Sequence, residues 1–444
     1  KGSRQTERGA KGSPKNYVIS TEQHDPLTAL KLVEILLRQG IEVKRSKESF
    51  VADGKVYPVG SFVISLAQPK MGVIRNLLGR TFYPDNYWTR NPDGSPIMYD
   101  TATDTIGEFM GVSVEPVDTE IPGDLEIVAD TDIRVCEAEE TLKCIYYQVE
   151  GYVLDPRLND TFAVVSGLVQ EGHAVFRFDA PICEGDYPNC PYMPAGAFYV
   201  EDQGDAVERL KVLCHERGVP IYPAKVQIDV PRHKVQKQRV GMYQRYWGGN
   251  ADEGWSRLVF EKFGFPYVTL TDADFREGNL NDKVDVIILP SDRPEMILGP
   301  DSVETKKTPY PMPPMPPEYR SGIGKEGARA LKDFVTKGGR LVAFDSSCKF
   351  AIDTCELKIA NVLENLTFKD YYCHGSTLHV EVDENNKVGY GMPHNCYALV
   401  WGGQAFEVRD TFASDRYCVV CQYPKKDLLQ SGWLIGEEII SGKP

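Results

Sequence analysis

The feature that most constrains the fold of this chain is a repetition. Residues 57–64, "YPVGSFVI", and residues 193–200, "MPAGAFYV", each carry a Pro-x-Gly turn that leads into an apolar strand. Pro58 and Gly60 align with Pro194 and Gly196, and both turns follow the same succession of strand, helix and strand. An internal duplication explains that agreement better than chance does. In the first copy, "NYVIS" reads as a strand and Asp25 as the N-cap of a helix with Pro26 in its first position. Leu30, Val33 and Leu37 recur at helical spacing, Gly40 ends the helix, and residues 41–44 resume as strand. In the second copy, Asp160 takes the capping position, Gly172 closes the helix and residues 174–178 form the strand. A further helix, residues 205–217, stops at Gly218. Two small α/β units are therefore expected over residues 17–150 and 151–235. The polar, basic stretch 1–16 reads as a linker or remnant, and residues 83–140, rich in Pro, Asp, Thr and Gly, as surface excursions.

Beyond the basic stretch "QIDVPRHKVQKQ" the pattern changes, which places a domain boundary at residue 236. Short apolar strands at 240–243, 267–270 and 284–289 alternate with helical spacing, and "RLVAF" supplies a fourth. An apolar run such as "VIIL" at the end of 284–289 suits a strand buried on both faces, so residues 236–444 read as a doubly wound parallel sheet. Asn250 caps a helix, with Glu253 as its reciprocal partner and Trp255, Leu258, Val259 and Phe263 as its apolar face. "TPYPMPPMPPEYR" reads as a stiff polyproline loop.

Charge and cysteine content narrow the partners. With 50 basic and 64 acidic residues the net charge is -14, which opposes binding to a phosphate backbone or an anionic membrane surface. No apolar run reaches the roughly 20 residues of a membrane helix. The cysteines number 11, an odd count without a framework spacing, although Cys183 and Cys190 flank a loop that a disulfide would close. Cys418 and Cys421 form a lone C-x-x-C in a strand-like context, and "EVDENNKV" reads as a hairpin turn rather than a calcium loop. No histidine carries a glutamate three residues away, so no short zinc-hydrolase motif is present, and no metal ligand or cofactor-binding residue is assigned.

The place where chemistry is most sharply suggested is "GGRLVAFDSSCKFAID", an apolar strand that runs through two serines and a cysteine into a helix. A nucleophile elbow is laid out in that way, which makes Cys348 and Ser347 candidate nucleophiles. The usual motif has glycine two positions on either side of the nucleophile, because the turn is strained. Here those positions are Ser346 and Phe350 around Cys348, and Asp345 and Lys349 around Ser347. A nucleophile also needs a base, and His374, His379 and His394 lie downstream. Glu253 is a third candidate, at the sheet edge where open α/β folds bind ligands.

Several collinear blocks carry a resemblance. "HDPLTALKLVEILLRQGIEV", "YPVGSFVISLAQP", "GYVLDPRLND", "MPAGAFYVED", "GGNADEGWSRLVFEKFGFPYVTLTDAD", "DVIILPSD" and "PPEYRSGIGKEGARALKDFVTKGG" together resemble the region that follows the catalytic domain in large zinc carboxypeptidase-like proteins, metallocarboxypeptidases of the carboxypeptidase A type. The resemblance runs from about residue 16 to the end and implies that the last part is a class I glutamine amidotransferase-like domain with a flavodoxin-like sheet. It implies an accessory, non-catalytic role, with zinc, its His-x-x-Glu pair and the catalytic glutamate in a domain that has no counterpart here. In the parent protein zinc would polarise the scissile carbonyl and a glutamate would serve as general base on a peptide substrate. The end, "SGWLIGEEIISGKP", falls short of the closing strands expected of such relatives, so the chain reads as a piece of a longer polypeptide. Export and self-association are further expectations of the resemblance. Two alternatives differ in class: an amidotransferase-like hydrolase dependent on Cys348, and a stand-alone binding or structural protein.

Overall fold

The computed structural model describes residues 1–97, 103–129, 149–182, 192–224, 228–246, 249–299, 322–410 and 416–444. The pair Cys183 and Cys190 and the proline-rich stretch 308–320 lie outside the described residues. The chain is a mixed α/β protein that divides into two compact units. One comprises residues 1–235, 365–402 and 419–444, the other residues 236–364 and 403–418.

The first unit contains two five-stranded sheets built to the same plan. Its first strands are β1 (Asn16–Ile19), β2 (Lys44–Ser46), the hairpin pair β3 (Phe50–Ala52) and β4 (Lys55–Tyr57), β5 (Phe62–Ser65), β6 (Glu115–Val117) and β7 (Leu125–Ile127). The first sheet has the order β6-β1-β5-β2-β7 and every pairing in it is antiparallel. The second is formed by β8 (Gly151–Leu154), β9 (Val175–Phe178), β10 (Phe198–Glu201), β11 (Tyr222–Ala224) and β12 (Arg232–Lys234), in the order β11-β8-β10-β9-β12, again wholly antiparallel. In each sheet the strand that follows the Pro-x-Gly turn slots between the two strands joined by the helix, the arrangement of a split βαβ unit. Each turn bends at its glycine, Gly60 and Gly196 having φ of 85° and 93°, a region that side chains with a Cβ avoid. The inserted strand is what makes these sheets antiparallel.

The helices cover these sheets, but in the first helix the stripe lies one residue off the expected Leu30, Val33 and Leu37: Leu30 and Leu37 are only partly buried, and Leu32 and Leu36 take the core positions beside Val33. Asp25 caps the Pro26–Arg38 helix by accepting from the Thr28 amide at 3.0 Å, and its other oxygen accepts from the Asn159 amide at 2.9 Å. Leu32, Val33 and Leu36 are buried against Ile19 and Ile64. In the second sheet the Asn159–Gln170 and Ala206–Arg217 helices bury Val164, Leu168, Leu210 and Cys214 against Leu154 and Val200, each large side chain contributing about 1.5–3 kcal/mol. Asp160 does not cap. The cap position is Leu158, and the buried Asp160 carboxylate instead pairs with Lys31 and Arg217.

Three expectations need correction. Residues 1–16 are not a bare linker, since Gly2–Lys11 is a helix whose Gly9 lies so close to Leu66 that an added Cβ would come within 1.8 Å of its carbonyl oxygen. The stretch 83–140 supplies the edge strands β6 and β7. Residues 236–444 are not one domain: the strand Tyr372–Val382 pairs antiparallel with Asn395–Trp401, Cys421–Gln422, Leu429–Ser431 and Leu434–Ile435, and all of these belong to the first unit. The "EVDENNKV" stretch is the turn between the first two of them.

The second unit is organised around a parallel sheet of β13 (Val240–Gln244), β14 (Val268–Thr271), β15 (Val286–Leu289) and β16 (Arg340–Ala343) in the order β14-β13-β15-β16. Its core joins Tyr243, Leu270, Ile287 and Leu289 to Phe275, Leu331, Phe334 and Phe350 from the helices. The Ala251–Phe263 helix departs from expectation. Asn250 caps it, accepting from the Asp252 and Glu253 amides, but Glu253 is its single buried residue. Trp255, Leu258 and Val259 are 67%, 51% and 52% exposed.

Candidate functional site

The second unit brings the carboxyl ends of its four parallel strands to one edge, where ligands bind in open α/β sheets. Arg245 follows β13, Asp272 follows β14, Ser291 and Asp292 follow β15, and the turn 344–347 follows β16. Each charged group there is already engaged. Arg245 Nε donates to Asp292 at 2.5 Å, and both side chains are nearly buried. Burial lifts the Asp292 carboxyl above the usual aspartate range despite Arg245. Asp272 accepts from the Tyr243 hydroxyl at 2.7 Å.

At the turn itself, the residue in the left-handed region is Asp345, with φ of 42°. Aspartate tolerates that conformation better than most residues, and here it takes the strained place that a nucleophile occupies in an elbow. Its carboxylate accepts from Ser291 Oγ at 2.8 Å, Ser346 Oγ at 3.0 Å and Gln404 Nε2 at 3.2 Å. Ser347 is fully buried; its hydroxyl donates to the Pro290 carbonyl at 2.5 Å and accepts from the Asp292 amide at 3.0 Å. It ties two neighbouring strand ends together. The Cys348 thiol lies 3.4 Å from the Ala343 carbonyl, and burial, with Asp345 nearby, pushes it above the ordinary thiol range, the reverse of an activated thiolate.

All seven histidines of the chain belong to the first unit, including His374, His379 and His394, so the second unit carries no imidazole. Glu253 is buried in the first turn of its helix, where its carboxylate meets the Arg257 guanidinium; that ion pair replaces the reciprocal cap expected from the spacing. Among the described residues no group of three or more His, Cys, Asp or Glu is placed to hold a metal ion. Among the described residues no helix is long and apolar enough to cross a membrane.

Sequence reading missed a second place altogether. A cavity of about 520 Å³ in the first unit is lined by Arg80, Glu108, Glu115, Tyr17 and Tyr397 together with apolar side chains. These residues come from β1, from the segment after the Met71–Leu78 helix, from the Ile106–Phe109 helix, from β6 and from the Asn395–Trp401 strand. No spacing rule links such distant segments. The one available signal was a glutamate in an otherwise apolar turn, "IGEF".

Comparison with known proteins adds little. No family model matches the chain, and no curated protein matches it. Among solved structures, a ThuA-like protein from Bacteroides uniformis is similar at 14% identity over 44% of this chain and 74% of that one, with a TM-score of 0.24.

Proposed function

We propose that the chain is an accessory, non-catalytic region of a zinc carboxypeptidase-like metallopeptidase, whose proteolytic chemistry on peptide substrates resides in a domain outside these residues. The observation that carries this reading is the state of the strand-to-helix turn. Its thiol is half-buried with a raised pKa, its serine is spent as a tie between strands, its strained position holds an aspartate, and its unit has no histidine. In this reading the two antiparallel sheets are copies of one ancestral unit, supported by their identical strand order and by the positive φ of Gly60 and Gly196. The parallel sheet is flavodoxin-like and related to class I glutamine amidotransferases, supported by a strand order that reads 2-1-3-4 in chain sequence. Zinc belongs to the parent's catalytic domain.

The experiment is a pair of assays on the purified chain, release of C-terminal residues from peptides with and without added zinc, and glutamine amide hydrolysis. The accessory reading expects neither, and expects Cys348→Ala to change nothing. Hydrolysis abolished by Cys348→Ala would establish the amidotransferase-like alternative instead, and zinc-dependent peptide hydrolysis by the chain alone would overturn the accessory role. The intact mass of the polypeptide in its source tests the parentage. A mass well above 49.8 kDa, with added sequence containing His-x-x-Glu, is the expected result.

A further inference from the structure

The Ala251–Phe263 helix of the second unit is mounted with its apolar stripe outward. Successive residues turn by about 100° around a helix, so Trp255, Leu258 and Val259 lie on the side away from Glu253, the single residue that the helix buries. Those three side chains expose roughly 300 Å², an area typical of the largest patch on a monomer and often functional. The two ends of the stripe carry opposite charges, Asp252 three residues before Trp255 and Lys262 three residues after Val259, and both are exposed. The order is symmetric about Arg257: Trp255 and Val259 stand two residues to either side of it, Asp252 and Lys262 five.

That symmetry makes the stripe its own complement. A second helix of the same sequence laid antiparallel across it brings Lys262 of each copy level with Asp252 of the other and Trp255 level with Val259, with Leu258 beside the two-fold axis. A parallel arrangement would set like charges together at both ends. Lys262 is engaged within its own chain, but an ammonium has three donors, which leaves room for a second acceptor. A foreign surface would have to carry base, apolar centre and acid in the reverse order, whereas a second copy carries them by symmetry. We propose that this face is a self-association surface, on which two copies of the chain pair antiparallel through their Ala251–Phe263 helices. The apolar area falls short of the about 800 Å² per partner of a standard interface, so the dimer is weak, with a dissociation constant of about 10–100 µM, and at about 1 µM the face is bare. The assignment stands independently of the accessory reading, because pairing of this kind needs neither zinc nor a nucleophile.

Sedimentation equilibrium of the full chain between about 1 and 300 µM tests it, with a passage from monomer to dimer expected across that range. Leu258→Glu should abolish the dimer, since it sets two carboxylates beside the axis. Asp252→Lys and Lys262→Asp should each weaken it by about tenfold, because each puts like charges at both ends of the contact. An equimolar mixture of those two variants should associate again, since lysine then meets aspartate at both ends, a recovery that a contact through any other surface would not show. The mixture decides the matter even if Leu258→Glu does not fold. A chain that stays monomeric up to about 300 µM, or a dimer indifferent to both charge reversals, would overturn the proposal.

Discussion

Two helices with similar apolar spacing meet different fates in this molecule. The Asn159–Gln170 helix buries Thr161, Ala163, Val164, Val165, Ser166 and Leu168 within the first unit. The Ala251–Phe263 helix, in the second unit, buries Glu253 alone and leaves Trp255, Leu258 and Val259 exposed. Periodicity thus specifies that a helix forms and which stripe is apolar, while the covering of that stripe depends on what else the unit supplies. In the second sheet two helices, Asn159–Gln170 and Ala206–Arg217, share one core cluster with the strands.

The comparison is sharpest in substitutions. Leu168→Ala should cost about 2–5 kcal/mol in urea unfolding, since the side chain is fully enclosed; a cost below about 1 kcal/mol would break the contrast from the buried side. Ser347→Ala comes next, at about 1–3 kcal/mol, because it strands a buried carbonyl and the amide of Asp292. A loss of that size without any change in chemistry would mark the serine as structural, whereas a neutral result would detach it from the strand ends.

Acid–base behaviour offers a smaller probe within the second unit, where two Arg–Asp pairs pull in opposite directions. The bonds from Arg239 hold Asp285 below the usual aspartate range, so its stabilisation is present above that range and is lost as pH falls through the lowered pKa. Burial holds Asp292 above it, so the folded state keeps that proton longer than the unfolded chain, and stability falls as pH rises from the ordinary aspartate value through the raised pKa. Asp292→Asn should remove that decline from stability-versus-pH curves and leave the acid-side loss from Asp285 in place. The smallest expected effect is Leu258→Ala, within about 0.5 kcal/mol by the same urea method. A larger cost would show that the exposed stripe is covered in solution.

These contrasts also show what could be read beforehand. Helix and strand positions were legible because spacing is local: Asp25 and Asn250 cap where expected, and Gly172 and Gly218 stop their helices with positive φ. The parallel sheet was legible from runs such as "VIIL". The antiparallel character of the first two sheets was not, because it depends on where the strand after Gly60 or Gly196 inserts, a choice made by pairing partners far away in sequence. The return of residues 365–402 and 419–444 to the first unit has no local signature either. At the candidate turn the residue in the left-handed region is Asp345, which no glycine spacing marks, and the Arg80–Glu108 pair rests on proximity that no motif encodes.

The interrupted course of the first unit has a consequence for synthesis. A ribosome making this chain finishes residue 235 and then emits the whole second unit before the strands of residues 419–444 emerge. At about 5–20 residues per second that leaves an interval of roughly ten to forty seconds. During it the strand Tyr372–Val382 is made before Leu429–Ser431 and Leu434–Ile435, two of its antiparallel partners, exist. The nascent protein thus carries an open sheet edge until residues 429–435 are made, and a cell that produces it must keep that edge from pairing with its neighbours on the same message.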